Sequence, residues 1–190
     1  MPTVFVRIPD DRVGAAIGPG GSTKRRLEEA TRTTISVDAD DEEFAIASNT
    51  EGDPDGVLRA RDIVLAIGRG FSPERAWRLL KDDTYLGVLD IKEVSGKRDK
   101  RALWRIRSRV IGERGRARAR LEELSGCAVS VYGTTVALIG REAELARATR
   151  AIRLLLQGSE HTAVFHLLAR LRESALLDEA SAAPAEPEAE

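Results

Sequence analysis

Apolar residues in this chain fall into short β-branched runs and longer stretches of helical spacing, and the order of the two occurs twice. Val4 to Ile8 is a β-branched run closed by Pro9 and predicts a strand. Asp10 or Asp11 caps a short helix reaching Ile17, after which Gly18-Pro19-Gly20-Gly21 requires a loop. Ser22 is placed to cap the next helix, whose apolar face is Thr23, Leu27 and Ala30. Thr34 to Asp38 and Phe44 to Ser48 predict two strands joined by an acidic turn. A helix from about Asp55 to Ile67 follows, and Ser72-Pro73-Glu74 starts another with proline at its first position.

The second half predicts the same succession. Val88 to Val94 reads as a strand, and a helix from about Lys100 to Val110 leads into Gly112-Glu113-Arg114-Gly115. A helix from Arg116 to Ser125 ends at Gly126, the place where a C-terminal glycine is common. Ala128 to Tyr132 and Thr135 to Ile139 are strands joined at Gly133-Thr134, and helices from Arg141 to Leu156 and from about His161 to Arg172 complete the copy. Shared order rests on shared sequence. Ile17 to Val37 maps onto Ile111 to Val131 at a constant offset of 94 residues, and Arg69 to Leu80 maps onto Gln157 to Leu168 at an offset of 88. The slippage falls around the acidic turn and the loop after it, where length changes are best tolerated.

Strand, helix, Gly-x-x-Gly, helix, strand, strand, helix is the order of the eukaryotic-type (type I) K-homology, or KH, module. The fold class expected is therefore α+β: two tandem KH domains, each a three-stranded sheet packed against helices, with an extra helix after each copy. Residues 1–84 form the first, residues 85–175 the second, and residues 176–190, rich in Ala, Pro and Glu, a disordered tail. In such a loop the glycines let the backbone turn tightly and approach a ligand with no Cβ in the way. The helix that follows points unsatisfied N–H groups and its positive dipole end at the same place, which suits a phosphate. KH loops clamp about four nucleotides of single strand in this way.

Composition changes this picture by separating the copies. The formal net charge of −1 conceals segregation: Lys97 to Arg120 holds eleven basic residues against Asp99 and Glu113, whereas Ser36 to Gly56 holds eight acids and no base. A concentrated basic block in a near-neutral chain implies one focused anionic partner. The second loop lies inside that block, so the RNA contacts expected are Gly112, Glu113, Arg114, Gly115, Arg116 and Arg118, with Arg105, Arg107 and Arg109 on the preceding helix. Leu103, Ile106 and Val110 form that helix's core-facing stripe. In the first copy Gly18, Pro19, Gly20, Gly21, Lys24 and Arg25 are the corresponding candidates, in a weaker field, and Pro19 lacks a backbone donor.

Other chemistries have thin support. Neither loop matches a phosphate-binding Walker sequence or a dinucleotide fingerprint, and the two histidines, His161 and His166, lie outside both loops at a spacing that does not suit a helical metal pair. No cofactor, metal or enzymatic activity is expected. Trp77 and Trp104 read as packing residues, and Cys127, the single cysteine, as a small strand residue of a protein from a reducing compartment. No apolar run approaches membrane-spanning length, so a cytoplasmic protein with no membrane partner is expected.

Arg109 to Gly115, Ser130 to Gly140 and Leu154-Leu155-Leu156-Gln157-Gly158-Ser159-Glu160-His161 resemble the archaeal and eukaryotic two-KH factors of small-subunit ribosome assembly. The resemblance implies non-catalytic binding near the 3′ end of small-subunit rRNA. The partners it implies are that rRNA, the alpha subunit of translation initiation factor two, an rRNA dimethyladenosine methyltransferase and the endonuclease of the 3′ cut. In eukaryotic members the first glycine loop is degenerate; here it is intact. Two other readings stand beside this one: a scaffold whose first module binds protein, and a KH regulator of other RNAs.

Overall fold

The computed structural model describes residues 3–38, 42–49 and 54–182. Its first half runs β1 (Thr3–Arg7), α1 (Asp10–Ile17), α2 (Ser22–Thr31), β2 (Thr33–Asp38), β3 (Glu43–Ser48) and α3 (Pro54–Gly68). A short α4 (Pro73–Ala76) continues as a 3-10 turn over Trp77–Leu80. The second half runs β4 (Tyr85–Asp90), α5 (Ile91–Ser95), α6 (Lys100–Ile111), α7 (Arg116–Ser125), β5 (Ala128–Tyr132), β6 (Thr135–Gly140), α8 (Glu142–Gln157) and α9 (His161–Ala182). Each half forms an antiparallel three-stranded sheet, ordered β1-β3-β2 and β4-β6-β5, with the strand nearest in sequence to the second loop helix at an edge. Among the described residues no helix is long and apolar enough to cross a membrane.

Five expectations are corrected. Neither Asp10 nor Asp11 caps α1: Pro9 holds the cap position, with no side-chain cap. The strand placed at Val88–Val94 lies earlier and stops at Asp90, because the Asp90 carboxylate accepts the N–H groups of Lys92 and Glu93 at 2.6 and 3.2 Å and so caps α5. Ser22 does not cap α2: Gly21 in the left-handed conformation takes that place, with no side-chain cap. The last helix extends past Arg172 to Ala182, into the segment expected as tail, and residues 183–190 of that tail lie outside the described residues. Trp104 is not a packing residue but 65% exposed.

The two sheets differ in how they are covered. In β3, Phe44 and Ile46 enter the first core, while Ala45 and Ala47 face the other way and are only half-buried. In β6 both faces are buried: Val136 and Leu138 join the second core, and Ala137 and Ile139 join the first. The outer face of the second sheet is closed by the segment ending the first half, where Phe71, Ala76 and Leu79 share one apolar cluster with Ala128, Ala137 and Ile139. Burying a side chain such as Phe71 contributes about 1.5–3 kcal/mol. Polar contacts trace the same junction. Ser130 Oγ donates to the Arg69 carbonyl at 2.9 Å, the Tyr132 hydroxyl donates to Asp11 at 2.5 Å, and Arg78 reaches the Gly126 carbonyl at 3.2 Å. A Cβ at Gly70 would sit 2.9 Å from both Ser130 Oγ and Tyr132 Cβ, so this approach needs glycine.

Candidate nucleic-acid interface

The two glycine loops have one shape. Gly18 (φ 76°, ψ 168°) and Gly112 (φ 73°, ψ 173°) end α1 and α6 in a conformation open essentially to glycine alone. The third loop residue is left-handed in both, Gly20 at φ 56° and Arg114 at φ 52°, and the fourth follows, Gly21 at 79° and Gly115 at 78°. Each turn is closed by the fourth residue's N–H donating to the first residue's carbonyl, at 3.0 Å in the first loop and 3.2 Å in the second. No side chain caps α2 or α7; the N–H groups of Ser22 and Arg116, which begin them, donate to the Pro19 and Glu113 carbonyls of the loops.

The glycines within a loop do different work. A Cβ on Gly112 would lie 2.5 Å from Ala117 Cβ and 2.7 Å from Ala117 N, and one on Gly18 would meet Thr23 just as closely. These glycines let the loop fold back onto the helix it starts. Gly115 and Gly20 have no atom within 4 Å of such a Cβ, so they border open space.

Side-chain engagement separates the copies more sharply than charge counting does. In the first loop Lys24 pairs with Glu28 at 3.0 Å, and the Arg26 guanidinium lies 4.9 Å from the Trp77 ring centre, which leaves Arg25 as the one of the three without such a contact among the described residues. In the second, Arg114 and Arg116 are exposed and their side chains make no hydrogen bond or ion pair among the described residues. Arg118 is half-buried, with its Nε lacking a partner, and Arg105 is exposed. Glu113, inside the loop, is exposed as well. Arg109 stands apart: its guanidinium donates to the Ser159 carbonyl at 2.6 Å and toward the Gly158 carbonyl at 3.4 Å, while its own carbonyl takes the Nε2–H of His161 at 2.8 Å. Since a carbonyl only accepts, that contact places the His161 proton on Nε2. Arg109 ties α6 to the α8–α9 junction.

Two carboxylates escaped the sequence reading. Glu28 accepts the Ile35 N–H at 2.8 Å and Glu122 accepts the Val129 N–H at 2.7 Å, each fastening the edge strand to the second loop helix. They occupy equivalent places in the repeat, and that coincidence of position was the available signal. Glu122 also pairs with Arg75 of the first half, so a guanidinium from α4 reaches the second module between α7 and β5. Cys127 takes no part: burial above all, then the nearby Glu144 charge, pushes its thiol up to about 12 and keeps it neutral at physiological pH. Among the described residues no cluster of three His, Cys, Asp or Glu side chains forms a metal site.

Comparison with known proteins agrees with this architecture. Residues 85–173 match the family described as eukaryotic-type KH domain (KH-domain type I), and residues 3–66 match the KH domain. A KH domain-containing protein of Methanocaldococcus jannaschii is 39% identical over 169 residues, covering 89% of this chain and 74% of that protein. The pre-rRNA-processing protein pno1 of Aspergillus fumigatus is 32% identical over 108 residues, which are 56% of this chain and 43% of that protein. A chain in the crystal structure of the a/eIF2alpha–aDim2p–rRNA complex from Pyrococcus horikoshii superimposes with a TM-score of 0.85 at 45% identity, over 91% of this chain and 95% of that one. With two type I KH folds in tandem and relatives matched along most of its length, the chain belongs to the family of archaeal two-KH pre-rRNA-processing factors.

Proposed function

We propose that the chain is a non-catalytic RNA-binding factor of small-subunit ribosome assembly, acting in the cytoplasm. Its second module grips single-stranded RNA near the 3′ end of the small-subunit rRNA across Gly112–Gly115. The observation that carries this reading is the contrast between two loops of equal backbone shape. The second leaves the Arg114 and Arg116 side chains without a partner among the described residues beside a helix start that no side chain caps, whereas the first has Lys24 and Arg26 already paired. The relative solved together with rRNA supports the choice of ligand.

The same complex contains the alpha subunit of initiation factor two, and we assign that subunit to the first module. The outward face of the first sheet favours a protein there: Phe5 is 62% exposed and pairs in register with the small, half-buried Ala45, with no element among the described residues laid over them. The dimethyladenosine methyltransferase and the 3′-end endonuclease are further partners that the proposed RNA position would bring close.

The test is a salt titration with a labelled single-stranded RNA from the small-subunit 3′ end. Each phosphate contact on a single strand contributes about 0.7 to the slope of log affinity against log salt. Changing Arg114 and Arg116 together to Glu is expected to lower the affinity and flatten the slope by about 1.4. An unchanged slope and affinity would remove the second loop from the RNA site.

A further inference from the structure

One stripe of α6 takes no part in either apolar core. Lys100, Trp104, Arg107 and Ile111 are spaced i, i+4, i+7 and i+11, which lines them up along one side of the helix, and Ile111 directly precedes Gly112. The stripe therefore runs into the second loop. Trp104 is 65% exposed and belongs to neither apolar core. Neither a guanidinium nor another aromatic ring stacks on it among the described residues, where such contacts use Tyr132, Trp77, Phe71 and the His161–Phe165 pair. One turn nearer the loop, Arg107 is half-buried, and its Nε is buried without a hydrogen-bond partner. A buried charged donor with nothing to donate to is costly, and its natural complement is an acceptor that arrives with a ligand.

We propose that this stripe is a base-stacking subsite that continues the RNA track of the second loop. A nucleobase of single-stranded RNA lies on the Trp104 indole, and the Arg107 guanidinium donates to an oxygen or ring nitrogen of the RNA between Trp104 and the loop. The inference rests on the reading of the second module as the RNA-holding one. Eight steps along the chain separate Trp104 from Gly112, about 12 Å of rise, so the subsite takes a nucleotide beyond the roughly four that such a loop clamps. Charge selects RNA as the occupant. Lys97, Arg98, Lys100, Arg101 and Arg105 flank Trp104 in sequence, and the one acid in that stretch, Asp99, is engaged as the N-cap of α6, accepting the Ala102 N–H at 2.9 Å. An exposed aromatic ring in a field of arginines is the chemistry by which single strands are held without regard to sequence.

The test uses the full chain with Trp77 changed to Phe, which leaves Trp104 as the sole indole. Single-stranded RNAs of about four to eight nucleotides, a span chosen around the four-nucleotide clamp, are titrated at fixed salt. Binding is followed by anisotropy of the labelled RNA and by indole fluorescence. Tetranucleotides are expected to bind without quenching Trp104, whereas longer RNAs quench it and bind about tenfold more tightly. Trp104→Ala should abolish that gain with length and Trp104→Tyr should keep most of it; Arg107→Gln should reduce it. The Arg114→Glu, Arg116→Glu chain should lose affinity at every length. If that chain loses tetranucleotide binding while Trp104→Ala gains from length as the parent does, the subsite is wrong and the loop assignment stands. If the loop variant binds normally, the reading of the module fails first. Equal loss at all lengths in Trp104→Ala would make the residue structural and overturn the subsite. So would unquenched fluorescence together with loss of a protein partner on Trp104→Ala, which would mark the stripe as a protein-docking face.

Discussion

Gly112 is the residue a sequence motif makes most tempting to mutate, and the geometry predicts that it is the wrong one for separating binding from folding. Its backbone at φ 73°, ψ 173° lies in a region where a side chain costs about 1–3 kcal/mol. The added methyl would also have to displace the Ala117 backbone, 2.7 Å away, at a further cost of about 1–3 kcal/mol. Gly115, at φ 78° and ψ 9°, sits in the ordinary left-handed region, where a side chain costs about 1–2 kcal/mol, and its Cβ would meet nothing within 4 Å. Gly112→Ala should therefore be less stable than Gly115→Ala by about 2–3 kcal/mol, which for a cooperative unit of this size separates their Tm values by roughly 4–12 °C. RNA affinity should order them differently relative to stability. Gly115→Ala stays folded, yet its methyl occupies the open space over the loop where a phosphate would approach. Loss of one charge-assisted hydrogen bond, about 1.5–3 kcal/mol, lowers affinity about tenfold or more. Paired melting curves and anisotropy titrations at constant salt make the comparison. Equal Tm values would refute the steric argument, and normal RNA binding by Gly115→Ala would refute the placement of the phosphate.

Two further outcomes concern the junction between the halves. Tyr132 has its hydroxyl pKa raised, first by the hydrogen bond it donates to Asp11, then by burial and the Asp11 charge. A folded-state value above the unfolded one, about 10, means the contribution is whole below pH 10 and is lost as pH rises through the folded value. The Tm difference between the parent and Tyr132→Phe should hold steady from about pH 7 to 9 and shrink at higher pH, where tyrosinate faces a carboxylate; a difference that persists at about pH 11 would contradict this. Phe71→Ala should cost about 3–5 kcal/mol and lower the denaturation midpoint seen by both Trp77 and Trp104, because Phe71 shares a core with Ala137 and Ile139. A Trp104 transition left unmoved would show that the halves unfold separately.

Much of this fold was legible because it depends on local signals. The helix from Arg116 to Ser125 and the strand from Ala128 to Tyr132 were bounded correctly by a glycine on each side and a β-branched run. The error at β4 arose because Val88, Leu89, Ile91 and Val94 set apolar, mostly β-branched residues on both sides of Asp90, while Asp90 ends the strand by accepting the backbone N–H groups of Lys92 and Glu93. The shared core was less visible, although a clue exists. Val136 to Ile139 is unbroken by any polar residue, the mark of a strand buried on both faces, whereas Phe44-Ala45-Ile46-Ala47 alternates large with small. For the candidate site, sequence located both loops and ranked them by charge. Engagement could not be read that way. That Arg109 belongs to the α8–α9 junction, that Arg26 rests on Trp77, and that Arg75 reaches across to Glu122 are consequences of pairing between distant segments.

The two-sided burial of β6 also bears on the order in which the protein is made. Phe71, Ala76 and Leu79 leave the ribosome well before Ala137 and Ile139, the residues that cover them, which follow after roughly 60 more residues, about 3–12 s of synthesis. Until then the first half carries an uncovered apolar ledge along α4. A nascent chain stalled between these points should bind a trigger for aggregation or a chaperone through that ledge, and its release should coincide with the emergence of β6. The last strand of the second sheet is thus the step that completes the first domain's core.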